Sequence, residues 1–190
     1  MAIVSVFIAL LSFLIACLAL TFTIGSFWWL NARQGRLQSF EPHSFAAAAT
    51  SEQTRLRLPL VFYNTGAKPI IVQNLRLWFP GTGPTVLAWI ATRSQLMPVS
   101  GDLADLQGVF SIPGRTAQQK LIEFGGAISG GIPAQDCRAQ IDMKLGHHNQ
   151  WDHLITFTLL ATRINDPNHY ITYPNFTSGI AVDPMPVDGP

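Results

Sequence analysis

The densest group of side chains that could do chemistry lies in the stretch GHHNQWDH, residues 146–153. It contains His147, His148, Asp152 and His153. Imidazole nitrogens and carboxylate oxygens are zinc ligands, and a loop could fold three such groups around one ion. Adjacent histidines usually diverge, however, and a metal site also needs surrounding hydrogen bonds that orient its ligands. We therefore interpret the stretch as a polar hairpin loop without a cofactor, with a metal-dependent enzyme as the alternative.

No other motif in the chain predicts a catalytic residue. The sequence has neither a Gly-x-Ser-x-Gly nucleophile motif nor a Gly-Lys-Ser/Thr phosphate-binding motif. The Gly-rich stretch FGGAISGG, residues 124–131, lacks a lysine and predicts a turn. Cys137 lies on the apolar side of an alternating segment, which indicates a buried structural thiol. The triplet Asn175, Phe176 and Thr177 fits a glycosylation acceptor, which would matter only in a eukaryotic lumen.

Composition bounds the possible partners. The 190 residues include 12 Lys and Arg and 11 Asp and Glu, so the net charge is +1. Only 12% of the residues are charged, which is well below the usual share of about 25%. Because nucleic-acid binding needs a concentrated basic field, we expect no nucleic acid as a partner.

The residues before position 33 form an apolar run without a formally charged side chain. About 20 such residues span a bilayer as a helix, so the run is long enough to cross. A cleaved secretory signal would need basic residues before a shorter apolar core. The stretch LIAC, ending at Cys17, resembles a bacterial lipid-attachment signal, but it also lacks basic residues and is followed by more apolar sequence. We favour a permanent anchor, and lipidation of Cys17 stays an alternative.

The end of the run predicts where the membrane surface lies. Trp28 and Trp29 have polar N–H groups on apolar rings, and such rings favour the headgroup layer. Arg33 and Arg36 follow directly, whereas no Lys or Arg precedes the run. Because basic flanks stay in the cytoplasm, we expect the domain on the cytoplasmic side. The reverse orientation would export it to the periplasm.

The rest of the chain alternates between apolar and polar residues, which is typical of strands with one buried face. RLRLPLVFYN, residues 55–64, is one example, and its Pro59 predicts a sheet edge or a bulge because proline has no N–H. CRAQIDMKLG and LITFTLLATRI predict a hairpin around the polar loop. Near the end, Tyr170, Tyr173 and Phe176 could form an exposed patch or pack under a loop. The predicted core consists of Leu58, Leu60, Phe62, Leu75, Leu77, Ile141, Met143, Phe157 and Leu159.

Seven or so short strands separated by Gly/Pro turns predict an all-β antiparallel sandwich of immunoglobulin-like architecture, preceded by one N-terminal transmembrane α-helix. We divide the chain into an anchor at 1–32, a juxtamembrane junction at 33–54 that can include a first strand, a β-sandwich at 55–173 and a Pro/Gly-rich tail at 174–190.

Six segments of the chain are WWLNARQGRL, LRLPLVFYNTGAKPIIVQNLRL, ATRSQL, PGRTAQQKLIEFG, KLGH and YITYPN. Together they resemble a group of bacterial proteins with one N-terminal span followed by a small all-β domain. The resemblance covers roughly residues 28–175. It implies a bacterial source and a membrane anchor, and it carries no assigned activity.

The sequence therefore predicts a single-pass membrane protein whose β domain binds another protein or supports a membrane assembly. One alternative is a metal-dependent enzyme that uses His147, His148 and His153. The other is a periplasmic ligand-binding or sensor domain, which requires the reversed orientation.

Overall fold

The computed structural model describes residues 2–50, 53–81, 86–99, 101–126, 132–146 and 149–176. His147, His148 and most of the predicted 174–190 tail lie outside the described residues.

An apolar helix, α1 (Ala2–Phe27), continues into a short π-helical turn, Trp28–Ala32. The segment Ile3–Ala32 has a mean hydropathy of 2.9, and its most apolar part is not buried against the domain. Its length and composition suffice to cross a membrane. The predicted single apolar helix is thus confirmed. By length and composition alone, a signal sequence near the N-terminus would qualify as well.

Eleven strands are described. They are β1 (Leu37–Ser39), β2 (Ser44–Ala49), β3 (Thr54–Asn64), β4 (Ile70–Trp78), β5 (Val86–Arg93), β6 (Ala104–Leu106), β7 (Phe110–Ile112), β8 (Ala117–Gly126), β9 (Cys137–Leu145), β10 (Trp151–Leu159) and β11 (Ile171–Pro174). A single 3₁₀ turn, Ala161–Arg163, follows β10. The stretch 33–54, expected as a junction, supplies β1 and β2, so it belongs to the sheet.

The strands form one antiparallel sheet in the order β10-β9-β4-β5-β8-β3-β2-β11. β1 pairs with the end of β3 and also contacts β10, at the opposite edge. Bulges in β4, β5 and β10 bend these strands, and bending of this kind curls a sheet. The predicted all-β antiparallel domain is confirmed. The two-sheet immunoglobulin-like sandwich is not, because one sheet curls into a half-barrel around its own core.

The core fills the concave side of the half-barrel. Every predicted core residue is buried there: Leu58, Leu60, Phe62, Leu75, Leu77, Ile141, Met143, Phe157 and Leu159. The predicted hairpin also forms, with Trp151 of β10 opposite Lys144 of β9. The outward face of β3, β5 and β8 carries Arg57, Arg93 and Glu123, which belong to the candidate site described below.

Candidate functional site

The turn that ends α1 is wound as a π-helix, and this frees a carbonyl group. In an α-helix the Trp29 oxygen would accept the N–H of Arg33. Here the Arg33 N–H donates instead to the Trp28 oxygen at 3.0 Å. The Trp29 oxygen accepts a hydrogen bond of 2.6 Å from Nη2 of Arg115. The π turn therefore provides the acceptor by which the domain holds the helix.

The segment after the helix is bound to the turn between β3 and β4. The Ala67 N–H donates to the Arg33 oxygen at 2.9 Å, and the Thr65 N–H donates to the Arg36 oxygen at 3.1 Å. The Arg36 N–H donates in return to Oγ1 of Thr65 at 2.9 Å. One hydrogen-bonded unit thus comprises residues 28–36, 65–68 and 113–116. We call this unit the junction; it is not the juxtamembrane junction predicted at 33–54.

Glycines allow the three segments of the junction to approach this closely. A methyl group on Gly66 would collide with the backbone of Gly35, and one on Gly35 would collide with that of Gly66. A methyl group on Gly114 would collide with the carbonyl group of Ala67. Only glycine fits where two backbones are in contact, so these positions determine the junction sterically.

The residues predicted to mark the membrane surface lie together at the junction. Trp28 and Trp29 are 54% and 52% exposed, and the Arg33 guanidinium lies 4.1 Å from the centre of the Trp29 ring. Arg36 is exposed. The structure adds Lys68 and Arg115, which are exposed at the same place and which the sequence analysis did not single out.

The structure brings part of the polar loop to the junction. Asp152 and His153 line a small cleft of about 310 Å³ together with Gly35 and Arg36. Nδ1 of His153 lies 4.0 Å from Oδ1 of Asp142. Within the described residues, no group of three or more His, Cys, Asp or Glu side chains could hold a metal ion. The proposed ligands His147 and His148 lie outside those residues.

Cys137, at the start of β9, is half-buried, and burial together with the nearby Asp136 raises its pKa to about 11. At pH 8 its thiolate fraction is therefore about a hundredfold below that of an ordinary thiol. We expect maleimide to react with Cys137 about a hundredfold more slowly than with an exposed cysteine made by Ser111→Cys. Mass spectrometry over time measures both rates. Comparable rates would contradict the buried, structural role.

The convex face of β3, β5 and β8 carries a buried ion cluster. Arg57 is 2% exposed and Glu123 is fully buried. Nη2 of Arg57 donates to Oε2 of Glu123 at 3.0 Å, and Nε of Arg93 donates to the same oxygen at 2.6 Å. This hydrogen bond, with the charges of Glu123 and Asp102, raises the pKa of Arg93 despite its burial.

The segment after β5 folds over this cluster and is fixed by it. Nη1 of Arg57 donates to the carbonyl groups of Gln95 and Leu96 and lies 2.9 Å from Oδ2 of Asp102. Burial, the largest influence on Asp102, raises its pKa, but hydrogen bonds from Ser94 and Gln95 and the charge of Arg57 outweigh it. The pKa of Asp102 therefore lies below its usual value, and the carboxylate stays ionised.

Tyr170 also covers the cluster. Its ring centre lies 5.2 Å from Cζ of Arg57. Burial and the charge of Glu123 raise its pKa well above the usual value. Tyr173 is buried against Phe45 in the core, whereas Phe176 is partly exposed. The first two aromatic residues of the predicted patch therefore pack inside the domain.

An open cleft of about 540 Å³ lies beside the ion cluster, and we call it the outer cleft. Pro59 and Val61 of β3 and Gln119 and Leu121 of β8 form its floor. One wall is the segment 94–96, which Arg57 and Asp102 hold in place. The other wall is the segment 40–44, which includes the exposed ring of Phe40.

Asn175 holds the second wall. Its backbone N–H donates to the His43 oxygen at 2.7 Å. Its Nδ2 donates to the oxygens of Pro42 and Thr158, and its Oδ1 accepts the N–H of Leu160. The amide that a sugar would modify is thus engaged within the domain, and Asn175 serves to position the cleft wall.

The outer cleft lies beside the middle of β3, where neither β1 nor β2 pairs with it. Ser39 of β1 opposes Phe62, and Ala46 of β2 opposes Arg57, so the eight residues 39–46 face the six residues 57–62. The chain between β1 and β2 is therefore two residues longer than the part of β3 that it passes, and it does not pair with β3 there. Proline has no N–H to offer a neighbouring strand. The prediction of an edge strand or a bulge at Pro59 is wrong in that form, because β3 lies inside the sheet and pairs with β8 through Pro59 without a bulge. Only on its other side does β3 lack a partner at this point.

The described residues define a single apolar helix joined without a free linker to an antiparallel half-barrel. No family model and no curated protein matches the chain. Matching solved structures include a candidate lipoprotein (ycdA) of Bacillus subtilis, with 11% identity, a TM-score of 0.39 and coverage of 69% of this chain. A protein from Archaeoglobus fulgidus has 8% identity and a TM-score of 0.36, with coverage of 74% of this chain and 99% of its own. The chain spans 39% of the Bacillus protein.

Proposed function

We propose that this chain is a single-pass membrane protein whose β domain binds a partner protein in the outer cleft. The observation that carries the proposal is that both cleft walls are fixed by polar side chains, Arg57 and Asn175. A preformed site pays little ordering entropy when it binds. Its volume of about 540 Å³ and its apolar floor would accept one or two side chains of a peptide.

The junction supports a permanent anchor over a cleaved signal. Cleavage after Ala32 would remove the Trp29 oxygen that accepts the hydrogen bond from Arg115. Cleavage before Cys17 would leave a largely apolar stub attached to the domain. The first product would lose this hydrogen bond, and the second would carry apolar residues that the intact chain uses in its span. In our proposal the helix stays, and Arg33 and Arg36 favour a domain on the cytoplasmic side.

A photo-crosslinking experiment tests the proposal. The photoreactive residue p-benzoylphenylalanine replaces Phe40 in the full chain expressed in cells. Irradiation is expected to yield one discrete protein adduct, because Phe40 is 60% exposed at the cleft rim. The matched control places the same residue at Val86, which is 48% exposed on β5 and does not line the cleft. Immunoblotting measures the adducts.

A second variant links the adduct to the cleft. Val61→Glu adds a carboxylate to the cleft floor and should abolish the Phe40 adduct while the circular dichroism spectrum stays unchanged. Equal adducts from positions 40 and 86, or an adduct that survives Val61→Glu, would show that the cleft is not the binding site.

A further inference from the structure

We propose that Arg33, Arg36, Lys68 and Arg115 form a basic collar that binds the phosphate groups of anionic phospholipids in the membrane that holds α1. The inference rests on the proposed anchor but does not depend on the outer cleft. Its partner is a lipid surface, recognised by negative charge at the depth of the headgroups.

The collar is assembled from three separate parts of the chain. Ala67 and Lys68 are joined through their N–H groups to the Arg33 oxygen, and Arg115 is joined to the Trp29 oxygen. The hydrogen bonds therefore place Lys68 and Arg115 at the same level as the end of the helix. Three of the four cations, Arg36, Lys68 and Arg115, are exposed, and Arg33 is half-buried.

The collar residues differ from other arginines of the domain in their ion pairs. Arg55, Arg57, Arg76 and Arg93 all pair with carboxylates. Among the described residues other than Asp152, no carboxylate forms an ion pair with a collar residue. Asp152 shares the small cleft with Arg36. Cations that outnumber the carboxylates beside them create a positive potential that attracts anions.

Arg115 has a strained backbone conformation within the collar. Its φ of 56° is the only positive φ at a non-glycine position in the described residues. Residues in this region are strained, and such strain concentrates at functional sites. One Arg115 N–H bonds the Trp29 oxygen, and a guanidinium has five N–H donors. The remaining donors suit a phosphate group.

The neighbouring tryptophans place the collar at headgroup depth. Trp28 and Trp29 precede it directly, and tryptophan rings prefer the interface between lipid and water. Basic side chains at that depth are attracted to anionic lipids, and each one strengthens the attraction by about fivefold. Four of them would give the domain a marked preference for anionic bilayers and a fixed orientation on their surface.

The test uses the full chain in neutral detergent micelles. The probes are dihexanoyl phosphatidylglycerol, dihexanoyl phosphatidylcholine and inorganic phosphate, titrated separately while tryptophan fluorescence is recorded. We expect saturable binding of the phosphatidylglycerol, no binding of the phosphatidylcholine, and binding of free phosphate at least about tenfold weaker because it has no acyl chains to insert beside α1.

Charge-removing variants identify the site. Lys68→Gln should weaken phosphatidylglycerol binding about fivefold, and Lys68→Gln with Arg115→Gln at least about tenfold. The matched control removes the same charge at the far end of the domain with Arg138→Gln and Arg163→Gln, and it should bind normally. The Arg115 variant could loosen the junction, since Arg115 bonds the Trp29 oxygen. Lys68→Gln alone still tests the site in that case, because the Lys68 side chain supports no described contact.

Three results would overturn the collar: equal binding of both lipids, phosphate binding as tight as lipid binding, or Lys68→Gln binding like the control. A separate measurement addresses the anchor. If carbonate washing releases the chain from membranes, the proposed anchor fails. If the chain stays in the membrane without a preference for phosphatidylglycerol, the collar alone fails.

Discussion

Replacing Glu123 by glutamine is expected to lower the free energy of unfolding by about 3–5 kcal/mol. Glu123 is fully buried and accepts hydrogen bonds from Arg57 and Arg93. Glutamine has nearly the same shape but no charge. The buried guanidinium of Arg57 would therefore have less negative charge beside it. Thermal unfolding of the full chain in mild detergent should show a midpoint about 6–20 °C lower.

A matched control and a double variant separate charge from packing. Glu41→Gln removes an exposed carboxylate and should change stability by less than about 0.5 kcal/mol. Arg57→Met combined with Glu123→Leu removes one buried charge of each sign and leaves Arg93 beside Asp102, so the remaining charges of the cluster stay balanced. The double variant should therefore lose less stability than Glu123→Gln alone. A Glu123→Gln protein as stable as the Glu41→Gln control would show that the cluster does not stabilise the fold.

The ion cluster also connects stability with the proposed binding site. Arg57 holds the carbonyl groups of Gln95 and Leu96, and these residues form one wall of the outer cleft. A folded variant that loosens this wall should bind its partner more weakly, because the cleft would then have to be ordered during binding.

Much of the fold could be predicted because alternation identifies buried faces directly. Leu58, Leu60 and Phe62 recur every second residue, and all are buried. The hairpin of β9 and β10 could be predicted because its two strands are adjacent in the sequence. Alternation does not determine curvature, however, and it would look the same in a sandwich. The half-barrel depends on bulges and on contact between β1 and β10, which are distant in the sequence.

The polar sites could be predicted less well, because their partners are far apart. Alternation places Arg57 on the convex face, where exposure is expected, and its partner Glu123 lies 66 residues away. Nothing local indicates that segment 94–102 covers this pair. The junction leaves a local trace in its glycines, Gly35, Gly66 and Gly114, but nothing in the sequence indicates that their three segments meet. The structure shows that these segments meet.

Replacing Gly66 by alanine is expected to separate the helix end from the domain. The added methyl group would collide with the backbone of Gly35, so one segment must move. The movement would break the hydrogen bonds from Thr65 and Ala67 to the chain after α1. Overpacking costs about 1–3 kcal/mol, and each lost hydrogen bond adds about 1 kcal/mol. Hydrogen–deuterium exchange of the full chain in micelles should show faster exchange of the Thr65 and Ala67 amides.

The matched control is Gly108→Ala, where the new methyl group would meet only the Leu106 oxygen at 3.7 Å, an ordinary contact. Its exchange pattern should match that of the unmodified chain. The core strands of the Gly66→Ala protein should also stay protected, because the junction lies outside the hydrophobic core. If the Thr65 and Ala67 amides remain protected, the two backbones can separate without losing these hydrogen bonds. The helix would then not be held by this contact, and the fixed orientation on which the basic collar depends would have to come from Arg115 alone.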